Sequence, residues 1–292
     1  MAEKIEAMLQ EYREGRISRR EFIHQAIALT GSLAAATVFA DALFAPSAYG
    51  AQVDPNDPGL KSGEVQYPGK DGAVAGYLAR PAAAGKYPAI VIISDNQGLV
   101  DHFRDVARRY AKEGYVALVP DVFSRHGGTA KVNPKGTGVR NLGELAPADV
   151  VAEYISAGYS YLKSLPEVRG DRLGITGFCW GGGQAYLNAT RVRGLRAAVI
   201  FYGETPDPVD LLERLETPVL AHYAERDKRI TSGVPETEAA MKKYNKSYEY
   251  KIYPGAEHAF FHDQRPDRYH PEAAKEAWSR TLEFFKKHLQ TK

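Results

Sequence analysis

The chain has 292 residues, of which 44% are hydrophobic and 25% are charged, and its formal net charge at pH 7 is +2. This is the composition of a globular protein with enough apolar material for a core, and it excludes a disordered or collagen-like chain. The charge is spread along the sequence without a run of lysine or arginine, so nucleic acid is not an expected partner. Beyond residue 60 there is no internal repeat and no Ser/Gly linker, which favours a single domain.

The first fifty residues have the features of an export signal. Arg19 and Arg20 precede a mildly apolar stretch at 22–40, and small residues around Tyr49 are typical of a cleavage site. The segment resembles a twin-arginine signal, which implies the twin-arginine export machinery as a partner and a periplasmic or extracellular location. The alternative is a retained membrane anchor, but the apolar stretch is weak for a spanning helix, so we expect no stable membrane association after processing.

We divide the chain into a signal segment at 1–50, a linker at 51–61 and one domain at 62–292. Within that domain, short β-branched runs alternate with longer helical patterns. The predicted strands are 63–67, 74–80, 89–94, 115–120, 172–177, 197–202, 218–223 and 248–253. The predicted helices are 101–113, 148–165, 181–191, 235–244 and 271–289.

The connections between these elements predict the architecture. A short Gly-Lys-Asp-Gly turn joins the first two strands, which should form an antiparallel hairpin, whereas helices separate most of the later strands, which should pair in parallel. The fold class is therefore α/β, a doubly wound and mostly parallel sheet of about eight strands. Active residues are expected at the carboxyl ends of the strands.

The only cysteine, Cys179, lies in the sequence GITGFCWGGG, where a predicted strand meets a predicted helix. One cysteine can form neither an internal disulfide nor a cysteine-rich zinc site, so it is a buried filler, an intermolecular link or a reactive thiol. Gly177 and Gly181 bracket it with the G-x-C-x-G spacing of a nucleophile elbow, a sharp turn that needs small neighbours. The amides that begin the following helix would favour the thiolate. The alternative is a tight turn that carries an inert cysteine.

An elbow of this kind predicts an acid after a later strand and a histidine after the last one. Asp227 follows the strand at 218–223, and His258 follows the strand at 248–253. Either residue alone would be an ordinary loop residue, but their order along the chain predicts a triad with Cys179. An H-x-x-x-H metal pair of His258 and His262 is the alternative, but no third ligand has a matching spacing, so we predict neither a metal nor a cofactor.

The segments GFCWGG, HYAERD and YPGAEHAF resemble the dienelactone hydrolase family of α/β-hydrolases, over a match that runs from about Gly63 to the C-terminus. The resemblance implies that His258 is the base and that Asp227 orients it. It also implies an oxyanion hole formed by the backbone amides of Asn96 and Trp180.

Two positions depart from the family pattern. Asp95 stands where the family usually has a glutamate that pairs with the resting thiol. His262 stands where the dienelactone enzymes carry an arginine that holds the substrate carboxylate. In addition, aromatic side chains could form an apolar pocket wall or belong to the core. These are Trp180, Tyr202, Phe260 and Phe261.

The predicted function is hydrolysis of a small ester or lactone through a thioester on Cys179, without a cofactor. Two alternatives stay open from the sequence. One is a binding or stress module on a hydrolase fold, in which Cys179 is structural. The other is a thiol redox protein in which Cys179 senses oxidation, although the chain lacks a C-x-x-C partner.

Overall fold

The computed structural model describes residues 51–290 and, in the N-terminal part, Gln25 alone. The predicted signal at 1–50 otherwise lies outside the described residues. Eight strands form one sheet in the order β1-β2-β4-β3-β5-β6-β7-β8. The strands are β1 (Leu60–Gly69), β2 (Gly72–Pro81), β3 (Tyr87–Ile93), β4 (Val116–Pro120), β5 (Val168–Phe178), β6 (Leu195–Phe201), β7 (Val219–Ala224) and β8 (Tyr248–Tyr253).

The pairing of the strands confirms the predicted fold class. β1 and β2 form an antiparallel hairpin, and β2 is also antiparallel to β4. The other neighbouring strands, from β4 through β3 to β8, are parallel. The carboxyl ends of β3, β5, β6, β7 and β8 therefore share one edge of the sheet, where side chains from distant parts of the sequence meet.

The helices cover both faces of this sheet. They are α1 (Asp101–Lys112), α2 (Thr129–Val132), α3 (Leu142–Leu145), α4 (Ala148–Ser164), α5 (Trp180–Ala189), α6 (Lys228–Thr231), α7 (Val234–Lys243) and α8 (Pro271–Phe285). The predicted long helices are α1, α4, α5, α7 and α8, the last of which continues as a π-helical turn at Lys286–Gln290. The sequence did not predict α2, α3 and α6, because four residues are too few to show a helical period. Within the described residues, no helix has both the length and the apolar character to cross a bilayer.

Strand β3 shows why the central strands are continuous apolar runs in the sequence. Val91 and Ile93 belong to the core on one face, while Ile90 and Ile92 belong to the core on the other. All four are fully buried. A parallel strand that is covered on both faces has no solvent side on which to place polar residues.

The residues that follow position 50 are attached to α1. The backbone amides of Gln52 and Val53 donate to the carboxylate of Asp105 at 3.1 and 2.9 Å. The side chain of Arg108 donates to the carbonyl of Val53 at 2.9 Å. Strand β1 begins at Leu60, so the predicted linker at 51–61 includes the start of a strand and a segment bound to a helix.

Candidate active site

Cys179 occupies the single position between β5 and α5, and its backbone has φ 57° and ψ −122°. This positive φ is disfavoured for a residue with a Cβ atom and is typical of a nucleophile at a sharp turn. A Cβ atom added to Gly177 would lie 2.0 Å from the carbonyl oxygen of Gly181. One added to Gly181 would lie 2.0 Å from the carbonyl oxygen of Ser94. Both glycines are therefore required by the close approach of strand and helix.

The structure brings Cys179, His258 and Asp227 together. His258 Nε2 lies 2.9 Å from Cys179 Sγ. On the other side of the ring, Nδ1 makes a short hydrogen bond with Oδ2 of Asp227. Asp227 lies just after β7 and His258 lies just after β8, as the sequence predicts. The Asp227 side chain is buried, and 25% of the His258 side chain is exposed, so the pair is largely shielded from water.

The surroundings of His258 favour its protonated form. Burial by itself lowers the pKa of His258, because it penalises the charged ring. The hydrogen bonds to Asp227 and Cys179, with the charges of both groups, outweigh burial and raise the pKa to about 9. His258 therefore carries both ring protons at neutral pH. In that state it donates to the carboxylate on one side and to the sulfur on the other.

Backbone strain accumulates around this triad. Among the described residues, four that are not glycine have a positive φ, and Cys179, Tyr202 and Ala259 are three of them. Tyr202 directly follows β6, and its ring meets that of His258 edge to face at 5.1 Å between centroids. Strained residues that gather in one place are typical of functional sites, where the surrounding structure holds them.

The turn after β3 contains the other predicted oxyanion residue. The carbonyl of Asn96 accepts a hydrogen bond from the amide of Val139 at 2.9 Å, and its side chain donates to the carbonyl of Val139 at 3.3 Å. Within residues 51–290, the backbone amides of Asn96 and Trp180 have no protein acceptor. Two such donors are what an oxyanion hole requires.

A cavity of about 330 Å³ opens beside Cys179. Its walls are partly apolar and include Trp180, Leu187, Pro206 and Ile230. Glu204 and Arg229 also line it and form a short ion pair, and both side chains are mostly exposed, which places them at the mouth. These two residues belong to no motif and lie far apart in the sequence, so their pairing could not be predicted.

Asp95 and Phe260 do not line this cavity. Asp95 is buried, and its Oδ1 accepts a hydrogen bond from the amide of Gln97 at 2.8 Å, which stabilises the turn after β3. Burial raises the pKa of Asp95, against the opposing effects of that hydrogen bond and of nearby positive charges. Phe260 is fully buried between Tyr202 and Tyr253, with ring centroids 5.4 and 5.0 Å away. Phe260 thus belongs to the core.

His262 lies apart from the triad in a buried polar cluster. Its Nε2 is 3.1 Å from Oε1 of Gln97, and its ring stacks on that of His102 with the centroids 3.8 Å apart. His102 Nδ1 in turn lies 2.9 Å from Oδ1 of Asp263. Burial is the main cause that lowers the pKa of His262 to about 2. His258 and His262 therefore have different partners and do not form an H-x-x-x-H metal pair.

The same cluster has some features of a metal site. Donor atoms of His102, His262 and Asp263 lie within 4.8 Å of one another. However, Arg109 makes a short ion pair with Asp263, whose other oxygen already bonds His102. Because a guanidinium neutralises the carboxylate, the arrangement is that of a buried ion-pair network rather than of a cation site. His102 and Asp263 belong to no sequence motif, so the sequence predicts no role for them.

Comparisons with known proteins extend this picture. Residues 74–289 match the model of the dienelactone hydrolase family. A Methylorubrum extorquens protein named "Putative carboxymethylenebutenolidase" is 32% identical over 282 residues, which cover 93% of this chain and 94% of that one. The chain belongs to the dienelactone hydrolase family. A Bradyrhizobium protein named "Probable 2-oxo-3-(5-oxofuran-2-ylidene)propanoate lactonase" is 36% identical over 224 residues, or 73% of this chain and 89% of that one.

Solved structures agree with this membership. The crystal structure of a "Putative Dienelactone Hydrolase" from Klebsiella pneumoniae has a TM-score of 0.71 and 32% sequence identity, and covers 77% of this chain and 98% of that chain. The dienelactone hydrolase from Anabaena variabilis, at 18% identity and a TM-score of 0.62, covers 79% of this chain and 99% of that chain and shows the shared fold alone. This member of the dienelactone hydrolase family is thus a hydrolase with an α/β-hydrolase fold. Membership of a hydrolase family argues against the alternative of a binding or stress module without catalytic activity.

Proposed function

We propose that this protein hydrolyses a small ester or lactone with Cys179 as the nucleophile, His258 as the acid and base, and Asp227 as the residue that orients His258. The observation that carries the proposal is the contact of 2.9 Å between Cys179 Sγ and His258 Nε2, with Asp227 on the far side of the ring. The names of the relatives, which include a lactonase, support the substrate class.

The proposed reaction has two halves. Cys179 Sγ attacks the carbonyl carbon, the bond to the leaving oxygen breaks, and a thioester forms while His258 gives a proton to the alkoxide. His258 then takes a proton from water, and the resulting hydroxide attacks the thioester. The carboxylic acid leaves, and the sulfur returns to its resting state. In both halves the amides of Asn96 and Trp180 stabilise the negative oxygen of the tetrahedral intermediate.

The site also limits the substrates. A cavity of about 330 Å³ with partly apolar walls suits a small acyl or lactone ring. A thiolate is a better leaving group than an amide nitrogen, so an amide substrate would tend to expel the sulfur and return to the starting state. We therefore expect activated esters and strained lactones to react and amides to be poor substrates.

The acyl-enzyme provides the decisive test. The protein is mixed with p-nitrophenyl acetate, quenched in acid within the first turnovers, digested and examined by mass spectrometry. We expect an acetyl group on the peptide that contains Cys179, and neither the adduct nor turnover in the Cys179→Ala variant. Ester turnover that survives in Cys179→Ala would disprove the proposed nucleophile. Turnover that does not depend on His258 would disprove its proposed role as the acid and base.

We also propose that residues 1–50 direct export through the twin-arginine machinery, on the basis of Arg19, Arg20 and the apolar stretch that follows. The test compares the wild-type chain with an Arg19→Lys, Arg20→Lys double variant in a bacterium that has this pathway. We expect the wild-type protein in the periplasm or the medium and the variant in the cytoplasm. Equal distribution of the two would rule out the twin-arginine route.

A further inference from the structure

A side-chain hydrogen bond joins the two loops that carry the proposed base and the proposed oxyanion donor. His262 lies four residues after His258, and its Nε2 is 3.1 Å from Oε1 of Gln97, the residue that follows Asn96. We propose that His262 is a positioning residue, which acts through Gln97 to hold the Asn96 amide at a fixed place relative to the triad. This inference rests on the proposed function, because it concerns the oxyanion hole of the same reaction.

Gln97 is held from three sides. Its amide donates to Asp95 at 2.8 Å, and its carbonyl accepts from the side chain of Asn133 at 3.0 Å. The contact with His262 fixes the remaining polar end of the residue. The first two partners lie in the turn itself and in the segment around α2, so His262 is the partner that links Gln97 to the loop of His258.

The protonation state of His262 suits a donor to an amide oxygen. Burial, together with the charges of His102 and Arg265 and against the opposing charge of Asp263, lowers its pKa to about 2. The ring is therefore neutral at working pH. Since Gln97 Oε1 is an acceptor, the single proton lies on Nε2, and Nδ1, which has no partner among the described residues, is unprotonated.

The ring of His262 is also fixed from behind. His102 stacks on it with the two planes 12° apart, and His102 is itself bound to Asp263 at 2.9 Å. Asp263 has two further partners, a short ion pair with Arg109 and the side chain of Gln52 at 2.7 Å. His262 is thus the end of a mostly buried chain of contacts, and such a chain is suited to holding a loop in one position.

This arrangement predicts a selective defect. An oxyanion donor stabilises the transition state only when it lies in the correct place, and small displacements cost one or two orders of magnitude in rate. Alkylation of Cys179 by iodoacetamide displaces iodide from a saturated carbon and forms no oxyanion. Loss of the contact between His262 and Gln97 should therefore slow ester hydrolysis and leave alkylation of Cys179 unchanged.

The experiment is a double-mutant cycle. His262→Phe keeps a flat ring to stack on His102 but has no N–H, and Gln97→Leu removes the acceptor at a partly exposed position. We expect kcat/KM for p-nitrophenyl acetate to fall about ten- to a hundredfold in each single variant. The double variant should be no slower than the slower single variant, because both changes remove the same contact. The matched control is His288→Phe in the C-terminal π-turn, for which we expect the wild-type rate.

Three results would overturn the inference. Single variants with wild-type kcat/KM would show that the contact positions nothing of consequence. Losses that multiply in the double variant would show that the two residues act independently. Alkylation that slows in parallel with hydrolysis would show that the triad itself has moved.

The failure of this inference is distinguishable from that of the proposed function. If the wild-type protein forms no acyl group on Cys179 and does not hydrolyse the ester, both are wrong. If the wild-type protein forms the acyl-enzyme and the variants match it, only the positioning role is wrong. Gln97→Leu keeps the test valid should His262→Phe fail to fold.

Discussion

His258 and His262 lie in the same loop, four residues apart, yet their pKa values are displaced in opposite directions. The pKa of His258 rises to about 9 and that of His262 falls to about 2. Burial lowers the pKa in both cases, so burial does not distinguish them. The hydrogen-bond partner does, because His258 faces a carboxylate and a sulfur, whereas His262 faces a neutral amide and a neighbouring histidine.

Under the proposed function, this one short loop supplies two different roles. A histidine between Cys179 and Asp227 keeps a proton that it can give away. A histidine against Gln97 stays neutral over the working pH range, so its hydrogen bond does not change with pH. We infer that the hydrogen-bond partner, rather than the sequence position or the depth of burial, determines the two roles: acid and base for His258, and positioning of a loop for His262.

The largest expected effect comes from replacing His258. His258→Gln removes the proposed acid and base, and we expect kcat/KM for p-nitrophenyl acetate to fall on the order of 10³- to 10⁴-fold. Iodoacetamide alkylation of Cys179 at pH 7 should slow as well, since the sulfur loses its cationic partner. A loss no larger than that of His262→Phe would mean that the two histidines do not differ in function.

The next effect concerns the partner of His258. Asp227→Asn leaves the shape nearly unchanged but removes the negative charge beside Nδ1, so the pKa of His258 should fall and kcat should drop by roughly two to three orders of magnitude. The ring-proton titration of His258, followed by NMR, and the steady-state rate measure the two effects on one sample. A His258 that still titrates near its wild-type value would show that Cys179 alone maintains its charge.

Stability should depend on pH through both histidines, with opposite signs. The pKa of His258 is raised from 6.5 to about 9, so its contribution to stability is complete below pH 6.5 and is lost as the pH rises through 9. The pKa of His262 is lowered from 6.5 to about 2, so protonation of the unfolded chain removes stability as the pH falls below 6.5. Each titration contributes a slope of about 1.4 kcal/mol per pH unit at most.

Denaturant unfolding at a series of pH values checks this prediction. We expect His258→Gln to flatten the alkaline limb and His262→Phe to flatten part of the acid limb. Part of the acid limb should remain, because burial also lowers the pKa of His222 to about 3. A His262→Phe variant with an unchanged acid limb would contradict the pKa assigned to His262.

The sequence could predict the sheet and the proximity of Cys179, His258 and Asp227 because both leave local signals. Apolar runs such as 89–94 mark buried strands, and the glycines around Cys179 mark a sharp turn. Asp227 and His258 could be placed because parallel strands bring their carboxyl ends to one edge. The distances among Cys179, His258 and Asp227 leave no such signal in the sequence, and neither do the short helices α2, α3 and α6. Only the structure shows them.

The buried cluster around His262 could not be predicted from the sequence. Gln97 and His262 lie 165 positions apart and no motif joins them. The resemblance to the family singled out His262 only as a position where an arginine was expected. A sequence pattern records periodicity and spacing within one segment, whereas the partner of His262 is set by how the turn after β3 meets the loop after β8.

The smallest predicted effect comes from giving His262 a charged partner, as His258 has. Gln97→Glu keeps an acceptor oxygen in place but gives it a negative charge, so the pKa of His262 should rise from about 2 by roughly one to two units. The Cε1 proton of His262, followed by NMR as a function of pH, reports the shift. Gln264→Glu is the matched control, since it adds the same charge two residues away from His262 in sequence and should shift this pKa less. If Gln97→Glu leaves His262 neutral down to pH 3, then burial rather than the partner determines its state, and the contrast between the two histidines would need another explanation.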